Sequence, residues 1–197
     1  MTVEANAVKL LQAERLVLNY TQRLSGVATS SAEYSKMVAH TYTTILDTRK
    51  TTPGLRVLEK WAVSLGGGGN HRMGLYDMIM LKDNHIDFAG GIIPAVTSVR
   101  EYLSDKQKIL KIEVETRDLH EVREALIAGV DRIMLDNFTT DETRIAVALI
   151  DRRAETESSG GITKDSLVSY AECGVDYISV GALTHRIKSL DMSLKAL

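Results

Sequence analysis

The chain has 197 residues, 44% of them hydrophobic and 25% charged, with a formal net charge of -2. That is enough apolar material for one sizeable core, so a single domain over residues 1–197 is expected, and the charge balance offers no basic surface for nucleic acid. No run of about 18 apolar residues would cross a membrane, and the one cysteine, Cys173, can form neither an internal disulfide nor a zinc site alone.

The opening residues, MTVEANAVKLLQAERL, place acids among apolar residues and lack a signal-peptide layout, so a cytoplasmic protein is expected. Val8, Leu11, Leu16, Leu18 and Leu24 fall at roughly helical spacing between Ala5 and Leu24. Ser25-Gly26 reads as a break. Ser30 or Ser31 then caps a second helix through Val38, with Glu33 in its first turn. Residues 1–40 are therefore read as a helical lead-in.

The pattern then changes to short β-branched or apolar runs, each followed by a polar turn and an amphipathic segment. The runs are Tyr42–Asp47, Met78–Lys82, Ile109–Glu115, Arg132–Asp136, Ala154–Ser158 and Tyr177–Val180. The helices expected between them are Leu55–Leu65, Ile92–Leu103, Leu119–Ala128, Asp141–Ile150 and Lys164–Cys173, with Cys173 a small buried residue. Gly129 and Gly174 follow two of them, where a left-handed cap is wanted. Strands alternating with helices imply a parallel sheet in an α/β fold. An open doubly wound sheet and a barrel both satisfy that rhythm. The polar residues favour the barrel, because Asp47, Lys82, Glu115, Asp136 and Ser158 each end a strand, and a parallel barrel gathers those ends on one face. Six strands fall short of eight, so the expectation is an open, incomplete parallel α/β barrel with an N-terminal helical segment.

Each strand end carries chemistry. Arg49 and Lys50 leave the first strand as adjacent cations, either clamping a phosphate or carboxylate or forming a solvated loop. Gly66 to Gly69 let a ligand approach the backbone, and the His71-Arg72 that follows makes a site for a dianion. Lys82 can reach the same space, whereas His85 reads as a structural partner of loop backbone. Glu113 and Glu115 share one strand face; both point inward, or one pairs with Lys82 or Lys111. Asp136 closes an apolar strand, where a carboxylate needs a partner or a metal. Carboxylates at neighbouring strand ends suit Mg2+, and the absence of a His pair at ligand spacing speaks against Zn2+. The small-residue turns SSGGI and SVGALTH, after the last two strands, suit a phosphate held by backbone N–H groups. The residues alone thus point to an enzyme acting on a phosphorylated sugar and an acidic partner.

In order and spacing, DTRKTTPGLR, GGGGNHRMGLYDMIMLKDNHI, IEVE, IMLDN, ESSGGI and GVDYISVGALTH resemble the quinolinate phosphoribosyltransferase family, as does ERLVLNYTQRLSGVAT near the start. The resemblance implies transfer of phosphoribose from phosphoribosyl pyrophosphate to the ring nitrogen of quinolinate. Carbon dioxide and pyrophosphate leave, and the nicotinate mononucleotide formed feeds NAD synthesis. It implies Mg2+, a homodimer or higher homo-oligomer, and an open barrel as catalytic domain. By position it makes Arg15, Arg49, His71 and Arg72 quinolinate-binding cations together with Lys82, with Lys50 reaching toward the phosphoribosyl group. Glu115 and Asp136 become the carboxylates at ribose and metal, so Lys50, Lys82, Glu115 and Asp136 form the implied catalytic set. Ser159, Gly160, Gly161, Gly181 and Ala182 become the phosphate cradle.

Two departures from the family pattern stand out. Its members usually carry a further N-terminal domain that packs over a partner's barrel mouth, and this chain begins where that domain would end. Arg186 follows His185 where a small residue is expected. The competing expectations are a non-catalytic barrel that binds anions, and a related transferase with another acidic acceptor.

Overall fold

A computed structural model describes residues 2–195. Met1, Ala196 and Leu197, at the ends of the expected span, lie outside the described residues.

The lead-in is one helix, α1 (Ala7–Met37), opened by Asn6, whose side chain accepts the N–H groups of Val8 and Lys9 at 3.1 and 3.3 Å. The break expected at Ser25-Gly26 does not occur, and Ser30 and Ser31 lie inside the helix. Gly26 is there for packing. A Cβ on it would sit 2.5 Å from the carbonyl oxygen of Lys188, where the C-terminal segment crosses α1. That segment is tied down by Leu190 N–H donating to the Gln22 carbonyl at 3.1 Å and Gln22 Nε2 donating to the Met192 carbonyl at 2.8 Å. A mid-helix glycine costs about 1 kcal/mol against alanine, which the surrounding packing offsets.

Six strands follow, β1 (Thr44–Leu46), β2 (Ile79–Leu81), β3 (Ile112–Thr116), β4 (Arg132–Asp136), β5 (Glu155–Ser159) and β6 (Tyr177–Ser179). All pairings are parallel, and the order β1-β6-β5-β4-β3-β2 is that of a barrel left open between β1 and β2. This excludes the doubly wound alternative, whose strand order runs outward from a central switch point. Gly69 makes an isolated bridge to Leu46 beside the opening. Its close approach explains the glycine, since a Cβ there would meet the Leu46 side chain at 2.8 Å.

The crossover helices are α2 (Arg56–Leu65), α3 (Asp83–Ala89), α4 (Ile92–Asp105), α5 (Leu119–Ala128), α6 (Thr140–Ile150) and α7 (Lys164–Ala171), with α8 (Ala182–His185) after β6. Asp118 caps α5, and Thr139 with Glu142 forms a capping box on α6. Gly129 and Gly174 have φ of 66° and 86°, the left-handed caps expected of them. Cys173 lies buried just beyond α7 rather than inside it. The sequence reading missed α3 and α8, which are too short to show a helical period.

Strand alternation sorts the two faces. Ile112, Val114, Ile133, Leu135 and Ile178 are buried against the helices. The opposite face is polar, and register sets Glu113 beside Arg132, Arg132 beside Glu155, and Met134 beside Glu157. The barrel interior is thus a charged column leading up to the strand ends. Among the described residues, no helix is long and apolar enough to cross a membrane.

Candidate active site

A cavity of about 1370 Å³ opens at the C-terminal ends of the strands. Arg49, Lys50, His71, Arg72, Lys82, Glu115, Asp136, Ser159, Gly160, Gly161, Gly181 and Ala182 all line it, so one hollow gathers twelve of the thirteen expected site residues. Arg15 is the exception. It lies on an exposed part of α1 and is not among the lining residues. Arg186, the departure at the last loop, also faces the cavity.

The cation side is built on one peptide segment. Asp47, at the end of β1, is fully buried. It accepts the His71 N–H at 2.9 Å, Asn70 Nδ2 at 2.6 Å and the ammonium of buried Lys60. Lys60 in turn donates to the His71 carbonyl at 2.8 Å. Burial pushes the Asp47 carboxyl up, opposed by Lys60 and the hydrogen bonds from His71 and Asn70. Arg72 is half-buried, and its Nη1 donates to the Met78 carbonyl at 3.2 Å. Burial and then the charge of Arg49 lower its pKa. Two guanidiniums close enough for one to disfavour the charge of Arg72 form a place where an anion is welcome.

His71 lines the cavity, yet its ring nitrogens are engaged within the wall. Nε2 lies 3.1 Å from Glu113 Oε2 and 3.4 Å from Glu157 Oε2, both fully buried. Nδ1 accepts the Arg72 N–H at 2.7 Å. Burial lowers the His71 pKa, but the two carboxylates more than reverse that and would hold a second ring proton up to about 9. Nδ1 is already taken as an acceptor, however, so the geometry describes a neutral ring with its proton on Nε2. The ring and both glutamates offer ligand atoms within 4.8 Å of one another. A cation there would compete with the Arg132 guanidinium, which holds Glu157 Oε2 at 3.1 Å.

On the opposite side Lys82 Nζ contacts Glu115 Oε2 at 2.5 Å, the pairing expected for one of the two strand glutamates. Lys111 instead pairs with Glu155 at 2.6 Å. Burial and the charge of Glu115 raise the Asp136 pKa, with Lys82 opposing. The charge of Glu115 beside Asp136 makes a donor set that a dication would relieve, so Glu115 and Asp136 fit Mg2+. His85 caps α3 by accepting the Lys82 N–H at 2.9 Å, the structural role read for it.

Beyond β5, Gly160 and Gly161 have φ of 91° and 60° and lead into Thr163 at the N-terminus of α7. Gly160 packs on Asn137, where a Cβ would sit 2.3 Å from Oδ1. Beyond β6, Gly181 lies against Lys50 and His185. The Lys50 carbonyl accepts the Thr184 hydroxyl at 2.9 Å, which ties the first basic loop to the last small-residue turn.

The sequence reading passed over Lys60, Arg132, Glu157 and Asn137. Glu157 and Arg132 carried a usable signal, since Glu155 and Glu157 stand two apart in ETESS, as Arg132 and Asp136 stand four apart in RIMLD, and even spacing puts such charges on one strand face. Lys60 carried none, being one more charge on an amphipathic helix. Asn137 adopts φ 57°, which a sequence does not announce.

Residues 27–195 match the family model described as quinolinate phosphoribosyl transferase, C-terminal domain. The chain belongs to that family. A chloroplastic carboxylating nicotinate-nucleotide pyrophosphorylase of Arabidopsis thaliana is 50% identical over 98% of this chain and 59% of its own length. A mitochondrial decarboxylating quinolinate phosphoribosyltransferase of Nicotiana tabacum is 47% identical, with the same 98% and 59% coverage. The crystal structure of NadC from Streptococcus pyogenes superposes with a TM-score of 0.92 at 43% identity, over 98% of this chain and 66% of that one. The chain therefore spans about three-fifths of the length of the curated relatives it matches. For the quinolinate phosphoribosyl transferase family the barrel described above is the C-terminal domain, and the likeness extends over the cavity and all six strands.

Proposed function

We propose that the protein transfers phosphoribose from phosphoribosyl pyrophosphate to the ring nitrogen of quinolinate. Carbon dioxide and pyrophosphate are released, and nicotinate mononucleotide is formed for NAD synthesis. One observation carries the reading: a single cavity has paired guanidiniums at one side, paired carboxylates at another and two small-residue turns at a third. Arg49 and Arg72, with Lys82, match the two carboxylates of quinolinate. Glu115 and Asp136 face the sugar, where fixed negative charge stabilises a ribosyl centre that gains positive charge as pyrophosphate departs. The turns at Ser159–Gly161 and Gly181–Ala182, with Lys50, hold the phosphates through backbone N–H groups and one mobile cation. Holding the ring nitrogen against the anomeric carbon supplies the entropic part of the acceleration. Once the ring nitrogen is alkylated, its positive charge stabilises the electron pair left on the adjacent carbon as carbon dioxide departs, and that carbon then takes a proton from water.

Glu115 and Asp136 would hold Mg2+, which supplies charge neutralisation for the departing pyrophosphate. A cytoplasmic homodimer belongs to the same proposal. Its support is the exposed apolar run of α1 (Val8, Leu11, Leu16, Val17 and Tyr20), which a second copy would cover. In such a dimer Arg15, exposed on the same helix, is available to the partner's cavity.

The test is incubation with quinolinate, phosphoribosyl pyrophosphate and Mg2+, followed by detection of nicotinate mononucleotide. Product is expected, dependent on Mg2+ and lost in Asp136→Asn. Binding of both substrates without product identifies instead a barrel that only binds anions. Product from another acidic acceptor but not from quinolinate identifies a related transferase.

A further inference from the structure

Beneath the cavity floor lie groups that no step of the proposed reaction uses. Glu113 and Glu157 are fully buried in the barrel interior. Arg132 Nη1 donates to Glu157 Oε2 at 3.1 Å, while its Nε and Nη2 hold Glu155 at 3.0 Å and its guanidinium stacks 4.0 Å from the Tyr177 ring centroid. Among the described residues, both Glu113 oxygens and Oε1 of Glu157 have no aligned hydrogen-bond partner. Buried carboxylates are costly without a donor. The Ser179 hydroxyl is in reach of Glu157, and the donor in reach of both is His71, whose Nε2 sits between them at 3.1 and 3.4 Å rather than on the axis of either. Because Nδ1 accepts the Arg72 N–H at 2.7 Å, the ring carries its proton on Nε2, directed at the carboxylate pair.

We propose that Glu113 and Glu157 are positioning residues: they fix His71 as its Nε2–H tautomer, and Nδ1 of that ring fixes the Arg72 backbone and so aims its guanidinium into the cavity. The proposal deepens the reading of Arg72 as an acid-binding cation and rests on it. Asp47 and Lys60 hold the backbone N–H and carbonyl of His71, so the carboxylates supply the one constraint those two do not, the ring. A flipped or Nδ1–H imidazole would turn a donor toward the Arg72 N–H and push that residue off its present place.

The experiment uses protein labelled with ¹⁵N-histidine, His71 being assigned by its loss in His71→Asn, and titration of quinolinate and pyrophosphate. The wild type should show His71 as a neutral Nε2–H ring near neutral pH. Glu113→Gln/Glu157→Gln replaces the ionised Glu157 and the Glu113 carboxyl, whose burial favours its protonated form, with amides that accept more weakly. It should produce a tautomer mixture and weaken quinolinate about tenfold, the low end of what removing the group behind a ligand-holding histidine costs. Pyrophosphate affinity should stay within about threefold, a split that general loss of structure would not give. A wild-type His71 that is doubly protonated or Nδ1–H overturns the proposal, whether or not the double variant folds. So does a double variant with an unchanged spectrum and unchanged quinolinate affinity, or stoichiometric divalent metal that chelators strip from this cluster. If the wild type binds no quinolinate, the proposed function fails, while the histidine spectrum still decides the positioning.

Discussion

Asp47 and Lys60 grip the backbone of one residue on either side of its Cα: Asp47 accepts the N–H of His71 and Lys60 donates to its carbonyl, while the two charges pair with each other. Both side chains are all but sealed from water. The pair lies below the cavity and turns a strand end and a helix side chain into a mount for the cationic wall.

Lys60→Met should therefore cost far more than a surface charge. It strands a buried carboxylate and frees the His71 carbonyl, a loss of about 3–5 kcal/mol. Chemical denaturation measures it. A loss below about 1 kcal/mol, the range of exposed pairs, would mean that the ion pair does not hold the segment.

Arg72→Ala should weaken quinolinate binding by about 2–5 kcal/mol, since the guanidinium is half-buried and lies within the field of a second cation, Arg49. Lys82 is 48% exposed at its side chain and already paired with Glu115, so Lys82→Ala should cost less, about 1 kcal/mol. Calorimetric titration of both variants checks the order. Equal effects would place the acid elsewhere.

Gly160→Ala tests the turn after β5. A φ of 91° is adopted at little cost only by glycine, and a Cβ would meet Asn137. Pyrophosphate affinity should drop at least about tenfold while folding is retained, because the residue lies on a loop and the strain is of order 1–3 kcal/mol. Unchanged affinity would remove this turn from the phosphate site.

Stability should fall as pH rises through the mildly acidic range. Burial, and then the charge of Glu157, push the Glu113 carboxyl up to about 7 from 4.5. Between those values the folded protein keeps a proton that the unfolded chain has released, so the contribution is complete below 4.5 and lost as pH rises through 7. Glu113→Gln should flatten this part of the melting-temperature profile. A wild-type profile that rises across the same window, with the variant unchanged, would contradict it.

The six strands and five longer crossover helices were legible because each carries its own period and its own punctuation, down to the αL glycines at 129 and 174. Arg132–Asp136 and Leu119–Ala128 match their expected bounds. What misled the reading was residue identity without tertiary context. Gly26 looks like a breaker until the Lys188 carbonyl is laid against it. The twelve cavity residues were found because strand ends announce themselves. The supporting layer under them was not, since a lysine on α2 becomes important only when Asp47 is seen across from it.

The ladder runs without interruption from β2 through β3, β4, β5 and β6 to β1, leaving one unlaced seam. That seam falls between the strand that delivers Arg49 and the strand that delivers Lys82, and the His71-Arg72 segment comes off the glycines beside it. The carboxylates Glu115 and Asp136 stand on β3 and β4, which are paired on both sides. A shift along that edge breaks no strand pairing, so the cations beside it are held by side-chain contacts such as Lys82 with Glu115 and not by the ladder.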